Sequence, residues 1–465
     1  MSTTAAPAGK DQTKDLNLFL LTWPIFLEIF LFMLMGIADT FMLSDLSDNA
    51  VSGVGAANQY MMIALLILEV IGNGASIVVA QYIGARNHEG ASRISALSVT
   101  LNLMVGLVIS VFFLFMSGTM MEGMHLKGDT LEYATSYLGI VGGAIFLQAI
   151  INSVAAIVRV HGFTKEAMYV SLGMNVVHII GNYVLIFGKF GAPELGVQGA
   201  AISSIVSRAL ASIVFFWLLY RVMKWRIRFQ YYFNLTKEYI GKILKVGIPS
   251  AFEQVMYHSC QIIFLYYATY LGDEALSARQ YAQNISMFIY LFAFAVGIGT
   301  SIIVGRLVGA NRQDDAYVRV WKSAWSASIV SIVVIGIVII FRYSLMGIFT
   351  SNEEIIKLGA HVLLFSIVLE TGRTINIILI NSLRAAGDAK YPLWIGMITM
   401  VGISVPLGYL LVFKLDMGLP GIWLAIASDE WLRAIIMYFR WKSRKWEKHA
   451  LVKHEPAHGV VEASV

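Results

Sequence analysis

GNGASIVVAQYIGARNHEGA (residues 72–91) and GIGTSIIVGRLVGANRQDDA (residues 297–316) are two versions of one stretch, set 225 residues apart. The same offset lays LSDNAVS from Leu46 over LGDEALS from Leu271, and RVHGFTK from Arg159 over RAAGDAK from Arg384. It also sets Pro24 on Pro249, Glu28 on Glu253 and Arg208 on Arg433. One shift that serves all these places marks an internal duplication, so the fold must be read as two copies of one unit. The Gly-Ala turn that ends each quoted stretch is expected on the cytoplasmic face, where it serves as a tight connector.

Composition fixes the medium in which the two copies sit. Apolar residues make up 58% of the chain, charged residues 14%, and the mean hydropathy is +0.71. A soluble domain carries nearer a quarter charged residues, so this is a polytopic membrane protein with little chain left for a soluble domain. The 40 glycines suit close helix packing in lipid. The net charge of +5 does not point to nucleic acid, because the basic residues lie between apolar spans. Cys260 is the sole cysteine, which excludes an internal disulfide. The opening MSTTAAPAGKDQTKDLN is polar and lacks an apolar core with a cleavage site, so no cleaved signal peptide is expected.

With roughly 20 apolar residues needed per crossing, twelve spans are expected. They lie at about 16–43, 53–83, 93–117, 131–158, 166–188, 196–220, 246–270, 276–305, 318–349, 355–382, 391–413 and 419–439. Counting the tails and even-numbered connections as one side collects 25 of the 34 Lys and Arg, with five on the other side and four within spans. Lys and Arg mark the cytoplasm, so both termini are expected there. The fold class is thus an all-α membrane protein of twelve transmembrane helices in two six-helix lobes. Six is even, so the repeats are parallel, an organisation expected of alternating-access transporters. The segments are an N-terminal tail (1–15), an N-lobe (16–225), a cytoplasmic connector (226–245), a C-lobe (246–440) and a C-terminal tail (441–465).

Ionisable groups at membrane depth are costly and mark function. The acids are Glu28, Asp39, Glu69, Glu253, Glu370, Asp429 and Glu430, and the bases Arg208, Arg279, Arg373 and Arg433. Glu28 and Asp39 are eleven residues apart, which returns them to within about 20° of one helix face, roughly 16 Å apart along it. That face should look into a cavity or at polar partners. Span 5 offers Asn175, His178 and Asn182 at i, i+3, i+7, a single polar stripe; a seam of interhelical hydrogen bonds would use the same pattern. Burial raises a carboxylate's affinity for protons, whereas a shell of carboxylate, amide and hydroxyl oxygens holds Na⁺. Ser203 and Ser204 are placed to complete such a shell around Asp39 and Asn182, and His178 argues for protons. The expected coupling set is therefore Asp39, Asn175, His178, Asn182, Ser204, Glu253 and Glu370. Glu28, Asp39, Gln59, Tyr257 and Gln283 are the expected substrate contacts.

Glu370 with Arg373, and Asp429 with Arg433, have the spacing of intrahelical ion pairs, the latter read as structural; Glu69 has no evident partner. The 21 Met and the many aromatics serve packing and interfacial belts, and some suit a pliable cavity for lipophilic cations. No phosphate-binding G-x-x-x-x-G-K-[ST] loop, metal-ligand spacing or nucleophile–base motif is present. The chain therefore reads as no enzyme and as needing no cofactor, with an ion gradient as its driver.

Several of these stretches together carry a family resemblance: WPIFLEIFLFMLMGIADTFMLSDL, GNGASIVVAQYIGARN, NVVHIIGNYVLIFG, LGVQGAAISS, VGIPSAFEQ, GIGTSIIVGRLVGAN and INSLRAAGDAKYP. Over about residues 15–445 the chain resembles the MATE (multidrug and toxic compound extrusion) family. The resemblance implies two six-helix lobes around a central cavity, in a monomer of the plasma membrane surrounded by lipid. It implies outward antiport of lipophilic cations against H⁺ or Na⁺, with Asp39 as a coupling residue. Glu253 and Glu370 resemble second-lobe acids of NorM-type members. Asn182 stands where many members carry Asp, and His178 where Asn is frequent, so the chain departs from a family-type Na⁺ site. Acids in both lobes keep it from sorting between DinF-like and NorM-like groups. A lipid-linked precursor flippase is the alternative; its anionic headgroup would want a basic cavity, and seven intramembrane acids against four arginines disfavour it.

Overall fold

The computed structural model describes residues 16–222 and 227–452. Of the expected segments, the N-terminal tail (1–15), residues 223–226 where the connector begins and the end of the C-terminal tail (453–465) lie outside the described residues. Among the described residues there is no strand. The first lobe consists of α1 (Leu18–Ser44), α2 (Asp48–Gly84), α3 (His88–Gly123), α4 (Gly128–Gly142 continued by Ile145–Val160), α5 (Thr164–Ile186) and α6 (Gly196–Arg221). The second consists of α7 (Lys237–Thr269), α8 (Asp273–Gly309), α9 (Gln313–Ile340), α10 (Glu353–Ala385), α11 (Lys390–Lys414) and α12 (Leu419–Lys442). Nine of these, among the described residues, are apolar and long enough to cross a bilayer, and the bent α4 makes a tenth. The other two, α7 and α12, are interrupted by Glu253, Gln254, His258 and Gln261 and by Asp429, Glu430 and Arg433. The helices least suited to lipid are those that build the polar interior of the second lobe.

Local signals place the ends. Ser47 caps α2 by accepting from the Ala50 amide at 3.0 Å, and Asn87 caps α3 by accepting from Gly90 at 2.8 Å. Each cap satisfies an amide that the helix itself leaves unpaired. α2 and α8, equivalent under the duplication, are both 37 residues long. At 1.5 Å per residue that is about 55 Å, so both project beyond a hydrocarbon core of ~30 Å. Three features depart from the sequence expectation. α4 bends by 46° after a π-helical turn at Leu138–Gly142. α11 carries π-helical turns at Met400–Ser404 and Leu410–Lys414. α7 starts at Lys237, so the end of the expected connector is helix, because Ile243 and Val246 are buried in the apolar cluster that α2 shares with α7.

The stretches that opened the sequence meet at the interface between lobes. A Cβ on Gly84 would lie 1.9 Å from the Arg306 carbonyl oxygen, and one on Gly309 would lie 1.9 Å from the Gln81 carbonyl oxygen. Residues 84 and 309, and likewise 81 and 306, differ by the repeat offset, so the contact is reciprocal about a pseudo-twofold axis. These glycines serve close backbone approach, and this corrects their reading as mere turn residues: the left-handed backbone of each turn belongs to Arg86 (φ 56°) and Asn311 (φ 60°). Gln81 fastens the same region, donating to the Ala385 carbonyl and accepting from the Leu451 amide, both at 2.7 Å. Lys242 donates to the Tyr82 hydroxyl at 2.8 Å, and Arg306 to the Val160 carbonyl.

The chain after α12, expected as a tail from 441, packs into this joint as far as it is described. Trp441 stacks on Trp446 with centroids 4.2 Å apart, and Leu451 is buried between the lobes. The interface continues to ring contacts of Phe26 with Phe292 and Phe30 with Phe288. Beyond them, among the described residues, no hydrogen bond, ion pair or ring contact joins the lobes. The two halves are thus bonded at the end rich in Lys and Arg, and not at the other.

Candidate functional site

Asp39 lies on α1 toward the unbonded end. Its Oδ1 stands 2.7 Å from His178 Nε2 and accepts from Asn182 Nδ2 at 2.6 Å. The stripe on α5 arises because residues three and four apart share a helix face, and α1 packs against that face. His178 is nearly sealed, its side chain 3% exposed, whereas Asp39 is 23% exposed. Asp39 is the point where a buried polar seam reaches accessible space. Both amide atoms of Asn175 and the Oδ1 of Asn182 are buried without a partner, unusual for polar atoms in a packed interior.

The seam is held from behind by α6. Ser203 donates to the His178 carbonyl at 2.8 Å, and Gly181 makes room, since a Cβ there would sit 2.4 Å from the Ser203 hydroxyl. Ser204, the expected member of the coupling shell, interacts with Tyr137 instead. Tyr137 and Arg208 lie within electrostatic reach of Asp39, but among the described residues no guanidinium pairs with it.

This arrangement stores a proton in one of two ways. An ionised Asp39 accepts from the imidazole N–H and the Asn182 amide, or a protonated Asp39 donates to a bare His178 Nε2; the heavy-atom positions serve both. A cation at the same oxygen would face two N–H donors.

Glu28 and Glu253 occupy equivalent positions and do equivalent things. Arg159 reaches Glu28 at 3.0 Å, and Ser171 donates to the same carboxylate at 3.0 Å. Arg384 reaches Glu253 at 2.6 Å, with Arg433 at 3.4 Å. The sequence offers Glu28 as a substrate contact and Glu253 as a coupling group; in the structure each carboxylate holds an arginine from the repeated RVHGFTK/RAAGDAK motif. Reading that motif as a loop conceals the partner.

In the second lobe the pairs extend into a network. Arg433 binds Asp429 at 2.7 Å and Glu430 at 3.3 Å, so Asp429–Arg433 is no isolated pair. Arg373 binds Glu370 at 2.6 Å and Glu430 at 3.3 Å, and Asn376 donates to Glu430 at 2.7 Å. Four carboxylates thus face three guanidiniums, Arg373, Arg384 and Arg433, leaving one negative charge in excess. Glu69 is exposed on α2 within electrostatic reach of Arg159.

Removing one partner of a buried ion pair costs about 3–5 kcal/mol, because it strands the other charge. Arg384→Met is therefore expected to destabilise the protein by about that much in detergent unfolding. Arg159→Met should cost less, since Arg159 and Glu28 are the more exposed pair. The double variant Glu253→Met/Arg384→Met should lose less than the two single losses summed. Additive losses would show that the pair is not coupled.

Against this network lies a cavity of 410 Å³ between α7, α8, α10 and α12. Tyr257 and Gln283, both expected substrate contacts, line it, together with Tyr290, Trp423, Arg279 and Arg373. A smaller pocket of 100 Å³ shares Tyr257, Tyr290 and Arg373 and reaches Glu253, Arg384 and Arg433. Glu28, Asp39 and Gln59 line neither; Gln59 stands exposed on α2.

With the geometry described, similarity can be stated. Residues 24–184 and 249–410 match the MatE family model, the two segments starting one repeat apart. The chain is 40% identical to YisQ of Bacillus subtilis, an uncharacterized transporter, over 94% of this chain and 96% of that one. It is 28% identical to a probable multidrug resistance protein, NorM, of Thermotoga maritima, over 96% of each. In three dimensions it resembles a multidrug resistance MATE family transporter of the MOP superfamily solved in an outward-facing conformation. That likeness has a TM-score of 0.86 at 21% identity, covering 94% of this chain and 96% of that one.

Proposed function

Because the chain belongs to the MatE family of transporters, we propose that it exports lipophilic organic cations from the cell in exchange for protons taken up at the Asp39–His178 pair. The observation that carries the choice of ion is the pair of N–H groups, at 2.6 and 2.7 Å, on a single oxygen of Asp39. Such donors stabilise a carboxylate and oppose a metal cation there, whereas a proton can move between oxygen and imidazole without displacing either. The replacement of an acid by Asn182 points the same way, since a sodium site gains from each added carboxylate. Related proteins named for multidrug resistance support the substrate class.

In this reading the protein lies in the plasma membrane with both termini in the cytoplasm, so the bonded, Lys- and Arg-rich end faces inward and the site opens outward. A proton arriving from outside neutralises Asp39 and loosens its hold on a bound cation, which leaves. The lobes then reopen inward, where the proton departs and the next substrate enters. Glu253 and Glu370 belong to the network that positions the second lobe, whose surplus negative charge gives it room for one further proton. Proteoliposomes with pH and Na⁺ gradients imposed separately test this. The expected result is cation transport driven by the pH gradient alone; transport that needs the sodium gradient would overturn it.

A further inference from the structure

Arg279 lies on the second turn of α8, about 9 Å from that helix's start at 1.5 Å per residue. It is only 5% exposed, and it lines the 410 Å³ cavity. One terminal nitrogen donates to Gln261, to its side-chain oxygen at 3.2 Å and its carbonyl at 3.4 Å. The Nε is buried with no partner, and among the described residues no carboxylate pairs with this guanidinium. It differs in this from the cavity's other arginine. Arg373 sits deeper, on α10, and is neutralised by Glu370 and Glu430.

A guanidinium withdrawn from water and left without a counter-charge is costly unless something supplies the charge. Its fork suits one group above others, a carboxylate bound through two N–H donors. The walls between the two arginines carry Tyr257, Tyr290 and Trp423, faces on which an aromatic body can stack. At the deep end waits the network with one carboxylate more than it has guanidiniums. The cavity therefore runs from a positive mouth, over an aromatic wall, to a floor with surplus negative charge.

We propose that Arg279 is a carboxylate-binding subsite, and that this cavity takes zwitterionic aromatic amines, with the acid group at Arg279 and the ammonium toward the Glu370–Glu430 network. The inference rests on the exporter reading and narrows its substrate class: a purely cationic compound leaves Arg279 unsatisfied, and a compound that also bears a carboxylate satisfies it.

The test uses a rhodamine with a free carboxylate and the same dye as its ethyl ester. Binding of each to the purified full-length protein is measured by fluorescence polarisation. The wild type is expected to bind the acid about tenfold more tightly than the ester, as a charge-assisted paired contact would give. Arg279→Gln should bring that ratio to about one, and Arg279→Lys, which keeps the charge but loses the fork, should keep part of the preference. A wild-type ratio at or below one overturns the subsite, as does a ratio unchanged in Arg279→Gln protein that elutes from gel filtration like the wild type. Should Arg279→Gln fail to fold, a full wild-type ratio in Arg279→Lys overturns it equally. Efflux of the ester from cells separates the two readings: ester exported without acid preference leaves the exporter standing and removes the subsite. Neither dye bound nor exported removes both.

Discussion

Replacing Asp39 with asparagine is expected to reduce proton-driven efflux by at least about 100-fold, while the protein still inserts and folds. Asparagine matches the shape of aspartate, and its Oδ1 still accepts from Asn182 and His178, which stand 2.6 and 2.7 Å away. Packing of α1 on α5 is thereby kept. What disappears is the ability to change charge: position 39 becomes permanently neutral, as if always protonated. A transporter fixed in one protonation state has no differential affinity for its two conformations and cannot be moved between them by a gradient. Efflux assays in a drug-sensitive host, with expression checked by gel filtration, measure this. His178→Gln should show a milder defect, since a donor toward Asp39 remains but the second proton-accepting group is gone. Undiminished efflux in Asp39→Asn would remove the coupling role outright.

Adding a single methyl at Gly84 or Gly309 is expected to have the second largest effect, although neither residue is near the site. Each new Cβ would stand 1.9 Å from a backbone carbonyl of the opposite lobe. A backbone carbonyl inside a helix has no rotamer to escape into, so the helices must separate. Overpacking of this kind costs about 1–3 kcal/mol in a closed interface, a cost removed when the lobes part at that end. Gly84→Ala and Gly309→Ala should therefore shift the resting population away from this conformation. A 2 kcal/mol change alters a two-state ratio by about 30-fold. In a background lacking Cys260, a cysteine at Arg86 or Asn311 reports the shift as faster labelling by a bulky thiol reagent. Reciprocity is the sharper requirement: because the contacts exchange under the duplication, the two variants should behave alike.

These expectations show what was legible before the fold was seen. The spans could be read because hydrocarbon demands long apolar runs, and the duplication because its offset holds across the chain. The meeting of Asp39 with the stripe of α5 was legible too: helix period fixes a face, and a face with two acids is excluded from lipid. The partners of Glu28 and Glu253 were not. Arg159 and Arg384 lie at the ends of apolar runs, where hydropathy assigns a loop, and their long side chains reach back inward. Only the pairing of two repeated acids with two repeated arginines carried a signal, visible once both were set at the same offset. The bend in α4 and the π-helical turns of α11 leave no mark in composition, since they arise from slipped backbone hydrogen bonds. The docking of Leu451 depends on one residue fitting a joint between lobes that no local pattern describes.

The central claim is that a proton and a substrate cation compete through Asp39. It is tested most directly by adding a transported cation to purified protein in weakly buffered solution with a pH indicator. Linkage requires each ligand to weaken the other's binding, so the wild type should release on the order of one proton per molecule as the cation binds, and Asp39→Asn none. A wild type that binds the cation and releases no proton, or a variant that releases as many, would contradict the account.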